Sequence, residues 1–174
     1  MTAWVALLRG VNVNGVTVRS ADLAALFREL GFTGVRTVLA SGNVVFETEE
    51  SSDRAAVKTR IETGLRERFG YDAWILLPTM DELRHVVDGF PFDETDAGRQ
   101  PYAIFCVDDA TRDEIVAASD DSALDPVAPG PGVVYWSPPV GMTVDTPLGK
   151  VLGRARFKPA TTTRNLRTLH KIIG

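Results

Sequence analysis

Apolar positions follow two rhythms along the first half of this chain. Trp4 to Leu8 is a continuous apolar run without helical spacing, which predicts a buried strand. Leu23, Leu26, Phe27 and Leu30 recur at i, i+3, i+4 and i+7, which predicts an amphipathic helix with Ser20 as N-cap and Gly31 as terminator. Val35–Leu39 and Val44–Phe46 predict two strands, and the turn residues Ala40-Ser41-Gly42-Asn43 between them predict a hairpin. Val57, Ile61, Leu65 and Phe69 mark one face of a longer helix, capped by Ser51, Ser52 or Asp53 and closed by Gly70. Ala73–Leu77 predicts a fourth strand, stopped at Pro78. The order β-α-β-β-α-β is the split βαβ or ferredoxin-like unit, and residues 1–78 complete it.

The second half, residues 79–174, has a less regular rhythm. Thr79 with Glu82 forms a capping box before Leu83, Val86 and Val87. Phe90 to Gln100 is loop, Tyr102–Val107 a strand, and Thr111 with Glu114 begins a helix through Ile115 and Val116. Asp120–Gly132, rich in Asp, Pro and Gly, predicts loop, followed by a strand over Val133–Trp136 and a weak one over Met142–Val144. Thr146 and Pro147 fit the N-cap and first position of a short helix. Leu166, Leu169, Ile172 and Ile173 mark a final helix, with one of Thr161, Thr162 and Thr163 as its N-cap. The comparable sizes of strands and helices predict a second, less regular lobe of the same kind packed on the first. The fold class is therefore α+β with two ferredoxin-like lobes, 1–78 and 79–174.

Composition narrows the function classes. The 174 residues contain enough apolar side chains for a sizeable core, and the apolar run Ala3–Leu8 is too short to cross a bilayer. With no charged segment before it, neither a signal peptide nor a membrane anchor is expected. Cys106 is the only cysteine, so no intrachain disulfide or cysteine metal cluster can form, and a cytoplasmic location is expected. Inside an apolar strand, Cys106 reads as an inert core thiol, and His85 and His170 lack a second ligand at metal spacing. No metal or cofactor is implied. Net charge is −4, unevenly spread: after Asp145 there are seven basic residues and no acid, whereas the preceding residues hold 12 basic and 23 acidic. A basic tail on an acidic body can pack against that body or contribute to an anion site.

Three polar segments are the candidate site. Arg9-Gly10-Val11-Asn12-Val13-Asn14-Gly15 leaves the first strand with two glycines, two asparagines and no acid. A right-handed crossover makes strands one and two parallel, so this loop and the Ser41-Gly42-Asn43 turn share one edge of the sheet. In Thr163-Arg164-Asn165 the arginine falls in the first turn of the last helix, where the helix dipole disfavours a cation and an anion would compensate. The expected ligand residues are Arg9, Asn12, Asn14, Ser41, Asn43, Thr163, Arg164 and Asn165, and the expected ligand is a small anion of phosphate or nucleotide kind.

Leu7-Leu8-Arg9-Gly10-Val11-Asn12-Val13, Leu30-Gly31-Phe32, Ser41-Gly42-Asn43-Val44-Val45-Phe46 and Thr163-Arg164-Asn165 together resemble the DUF1697 family of small bacterial proteins. The resemblance implies an α+β architecture of two related lobes, and neither an activity nor catalytic residues. The chain departs at Asn14, where a second glycine is common in that family. Val13-Asn14-Gly15-Val16-Thr17-Val18-Arg19 also looks like part of the acylphosphatase signature, in which Arg19 would bind phosphate and Asn43 orient water. Asn14 in place of glutamine and Val18 in place of an aromatic depart from it. A nucleic-acid binder using the basic tail is the other alternative. It is not favoured, because the body is acidic and the sequences flanking Trp4 and Phe46 do not match an RNA-recognition strand.

Overall fold

A computed structural model describes residues 1–9, 17–39, 42–49, 53–70, 72, 74–119 and 123–174. The chain divides into two compact units, Met1–Asp81 and Glu82–Gly174. Each holds a four-stranded, wholly antiparallel sheet.

In the first unit the order is β1 (Thr2–Arg9), α1 (Ser20–Glu29), β2 (Thr33–Val38), β3 (Asn43–Thr48), α2 (Arg54–Phe69) and β4 (Trp74–Leu76). The sheet runs β2-β3-β1-β4, the ferredoxin-like arrangement expected of the split βαβ unit. Strand alternation sorts the side chains. Trp4, Ala6 and Leu8 of β1, Val44 and Phe46 of β3, and Ile75 of β4 form one core with Leu23 and Phe27 of α1 and Val57, Ile61 and Leu65 of α2. Phe27 and Phe32 pack on Phe46 at 5.3 and 4.5 Å between ring centroids. Of the three proposed caps for α2, Asp53 is the N-cap, its side chain accepting from Ala56 N at 3.1 Å, and Ser51 and Ser52 lie outside the described residues. Gly70 closes α2 in the left-handed region at φ +69°, where a side chain would be strained. α1 begins one residue off the prediction: Arg19 holds the cap position and Ser20 is already helical.

In the second unit the order is β5 (Tyr102–Cys106), α4 (Asp109–Ala118), β6 (Val127–Gly130), β7 (Val133–Trp136), α5 (Pro147–Leu152), β8 (Thr161–Asn165) and α6 (Leu166–Ile173). α3 (Met80–Asp88) precedes them. The sheet order β6-β7-β5-β8 repeats that of the first unit with each strand in the corresponding place. The core here is built from Ile104, Ile115, Val134, Trp136, Leu148, Val151 and Phe157.

Four expectations are corrected in this unit. β6 lies inside the predicted loop 120–132: its residues Val127-Ala128-Pro129-Gly130 carry Pro and Gly, which a sheet tolerates on the edge position β6 occupies. Met142–Val144 is turn, not strand. α4 starts at Asp109, with Asp108 rather than Thr111 as its cap, accepting from Thr111 N at 2.8 Å. Thr161–Asn165 is the strand β8 rather than a helix start, because β5 offers it a free edge with paired register from Tyr102↔Asn165 to Cys106↔Thr161. The cap of α6 is consequently Asn165, which accepts from Arg167 N at 2.9 Å.

Candidate functional site

The end of β1 and the β2–β3 turn meet as the topology requires. Leu7 pairs with Asn43, and Leu8 N donates to Gly42 O at 2.9 Å. Arg9 is the last residue of β1, half-buried, and burial lowers its pKa from the ordinary arginine value. Arginine starts so far above neutrality that the guanidinium keeps its charge there. Asn43 is buried, and its Nδ2 donates to Val38 O at 3.0 Å across the hairpin. That bond clamps the neck of the turn, a role Asn performs through its short amide side chain. Leu39, beside it, is exposed and sits at φ +52°, uncommon for a residue with a branched side chain. Asn12, Asn14 and Ser41 lie outside the described residues, as does Gly10.

The third segment has a different character from the one its sequence suggests. Thr163 and Arg164 lie in the strand β8, not in the first turn of a helix, so the conflict between a cation and a helix dipole does not arise. Arg164 Nη1 donates to Thr162 Oγ1 at 2.7 Å and to Thr163 O at 3.0 Å. Asn165 divides its side chain between capping α6 and donating to Gln100 Oε1 at 2.9 Å. These bonds are internal to the second unit.

Trp74 is a rim residue that no motif in the sequence singles out. It pairs directly with Arg9 across the β1–β4 ladder and is 42% exposed. Because Leu8 and Ile75, one residue along each strand, belong to the helix-side core, Arg9 and Trp74 both project from the opposite face of the sheet. The signal available in the sequence was the alternation Trp74-Ile75-Leu76-Leu77, which puts tryptophan out of phase with the core residues Ile75 and Leu77. Two neighbouring acids are engaged: Glu62 accepts from Ile75 N at 3.2 Å, and Asp72 lies 3.5 Å from Arg66.

Cys106 is partly buried, and desolvation pushes its thiol up to about 12, which suppresses the thiolate. His85 is exposed on α3, and His170 lies 2.9 Å from Glu94. Among the described residues no group of three His, Cys, Asp or Glu could hold a metal. Arg19, needed by an acylphosphatase, is exposed just before α1. In the basic tail Arg156 pairs with Glu114 at 2.5 Å and stacks 4.6 Å from the Phe157 ring centroid. A cleft of about 400 Å³, lined by Gly31, Thr33, Glu47, Thr48, Glu49 and Arg60 among others, opens at the end of β2 and β3 remote from Gly42. Arg60 is tied there to Leu30 O and lies 4.8 Å over Phe32.

Two four-stranded sheets of one topology in a single chain define a tandem ferredoxin-like α+β protein. The chain belongs to DUF1697, a family of proteins of unknown function, whose model matches residues 1–135. Thr163-Arg164-Asn165 lies beyond that matched stretch. Among solved structures, the chain is similar to the conserved bacterial protein SP0830 from Streptococcus pneumoniae, with a TM-score of 0.82 and 21% identity over 99% of this chain and 97% of that one. That likeness extends the shared fold over both units. A search among curated proteins finds no match. No helix among the described residues is long and apolar enough to cross a membrane.

Proposed function

We propose that this protein binds a small anionic ligand, of phosphate or nucleotide kind, at the rim of the first unit where β1 ends beside the Gly42 turn, and that it does so in the cytoplasm. The observation that carries the reading is the position of Arg9: a half-buried cation on the last rung of β1, one residue beyond the Leu8 N to Gly42 O bond. A cation held where water is partly excluded attracts an anion more strongly than one in bulk water. Asn43 shapes the turn beside it, and Asn12, Asn14 and Ser41, which lie outside the described residues, follow Arg9 or precede Gly42 in the sequence. Thr163, Arg164 and Asn165 lie in β8, where Arg164 bonds Thr162 Oγ1 and Asn165 caps α6. The cytoplasmic assignment is supported by the single unpaired cysteine.

Calorimetric titration of inorganic phosphate, pyrophosphate and a nucleoside monophosphate into the full chain tests this. Saturable binding of at least one probe is expected, weakened about tenfold or more in Arg9→Ala, as loss of a charged hydrogen-bond partner requires. Absence of binding by every probe, or equal affinity in Arg9→Ala, would end the reading.

A further inference from the structure

The two units contain an internal control for the rim. Aligning their ladders places Leu8 against Cys106 and Gly42 against Gly132, and the bond from Leu8 N to Gly42 O (2.9 Å) recurs as Cys106 N to Gly132 O (3.0 Å). On the next rung the first unit pairs Arg9 with Trp74. The second unit has Val107 N donating to Ala160 O at 2.9 Å. The same fold therefore closes this rung with a valine and an alanine. Neither the cation nor the indole is needed to build it.

Rung geometry then specifies what the pair can hold. Directly opposed side chains in an antiparallel ladder stand about 5 Å apart at Cβ and share a face. Arg9 thus offers a charge beside the exposed indole of Trp74, on the face away from the helices. A flat π surface next to a cation complements a ligand with a flat aromatic part and an anionic part. Aromatic side chains stack on nucleobases with little regard for which base is present.

We infer that Trp74 and Arg9 form a nucleotide subsite, in which the indole stacks on the base and the guanidinium holds the phosphate of a mononucleotide. The inference rests on the anion reading above and narrows it to one ligand class. Among the described residues this rung holds one cation and one aromatic, which suits one nucleotide. A strand of nucleic acid is disfavoured, since the residues up to Asp145 carry 23 acids against 12 bases and would repel a polyanion.

The test compares AMP, ribose 5-phosphate and a single-stranded oligonucleotide as ligands of the full chain, wild type and the Trp74→Ala and Trp74→Phe variants. Wild type is expected to bind AMP on the order of tenfold more tightly than ribose 5-phosphate, the contribution of one base–aromatic stack. Trp74→Ala should abolish that preference, bringing AMP down to the affinity of ribose 5-phosphate, and Trp74→Phe should retain most of it. If AMP and ribose 5-phosphate bind equally to wild type, or if the preference survives Trp74→Ala, the stacking inference falls and the anion site stands. If neither phosphate binds, both readings fall. An oligonucleotide that binds more tightly than AMP, with an affinity that drops steeply with salt, overturns the mononucleotide assignment in favour of nucleic acid.

Discussion

The first and second units share one strand order and differ in how they are held together and in what they present. The first closes its sheet with the 16-residue α2, whose Val57, Ile61 and Leu65 are fully buried. The second puts the six-residue α5 at the corresponding place in chain order. So short a helix has little apolar face, and the second unit adds a buried polar device. Asp125, 2% exposed, accepts from Trp136 Nε1 at 3.2 Å and from Leu148 N at 3.0 Å. It thereby joins the loop before β6, the strand β7 and the start of α5. At the rim the contrast reverses: the ladder positions held by Arg9, Asn43 and Trp74 in the first unit are held by Val107, Val133 and Ala160 in the second. What both units keep, such as the glycine that accepts from the end of the first strand, belongs to the architecture. What only one keeps is either a local replacement for lost packing or a feature the fold does not require.

The largest effect on this comparison is expected from removing Asp125, the buried acceptor of the second unit. Asp125→Ala leaves two buried N–H donors without an acceptor and is expected to cost about 3 kcal/mol, read by urea unfolding. Asp125→Asn retains an accepting oxygen and should cost clearly less. Equal, small losses in both variants would mean that α5 is held by Leu148 and Val151 alone.

Next in size is a graft of one rim onto the other. Arg9→Val with Trp74→Ala copies the rung of the second unit into the first. Folding stability should change by no more than ~1 kcal/mol, since neither side chain is part of the helix-side core. Binding of phosphate-bearing ligands should fall at least about tenfold. A severe loss of stability in the double variant would show that the rung is structural after all, and the contrast between the units would lose its functional meaning.

A smaller effect is expected at the hairpin neck. Asn43→Val installs the residue of the second unit and removes the Asn43 Nδ2 to Val38 O bond. The expected cost is about 1 kcal/mol by thermal or chemical unfolding. An unchanged midpoint would assign the amide to ligand binding rather than to the turn.

The smallest effect is a pH dependence at Cys106, the counterpart of Leu8. Its thiol is pushed up to about 12 from 9.0, so above pH 9 the unfolded chain gives up this proton while the folded chain keeps it. Folded protein then binds more protons than unfolded, and stability falls with rising pH across the window from 9 to 12. Relative to Cys106→Val, wild type should lose less than about 1 kcal/mol on going from pH 8 to pH 9.5. No difference between the two proteins over that range would place the thiol in water and break the match of Cys106 with a core position.

Legibility from sequence was uneven for physical reasons. The first unit could be read almost element by element because its apolar residues repeat at the period of the structure they form, as Leu23-Leu26-Phe27 and Val57-Ile61-Leu65 do. In the second, β6 reads as loop because edge strands accept Pro129 and Gly130, and β8 reads as a helix start because Thr, Arg and Asn suit either element. Of the candidate site, Arg9, Gly42 and Asn43 could be brought together by topology alone, since a right-handed crossover puts the ends of β1 and β2 on one edge. Arg164 could not be read correctly, because its role depended on whether Thr161–Asn165 found a partner strand.

Local periodicity and turn chemistry encode the helices, the first hairpin and the ferredoxin-like order of the first unit, and the resemblance to the family is carried by short motifs such as Ser41-Gly42-Asn43. Tertiary structure alone decided that Thr161–Asn165 is a strand and that Trp74 stands beside Arg9, 65 positions apart in the chain. Both depend on which sheet edge accepts which segment. That choice is made by the backbone donors and acceptors β1 and β5 have left to offer, and no local pattern in the accepted segment records it.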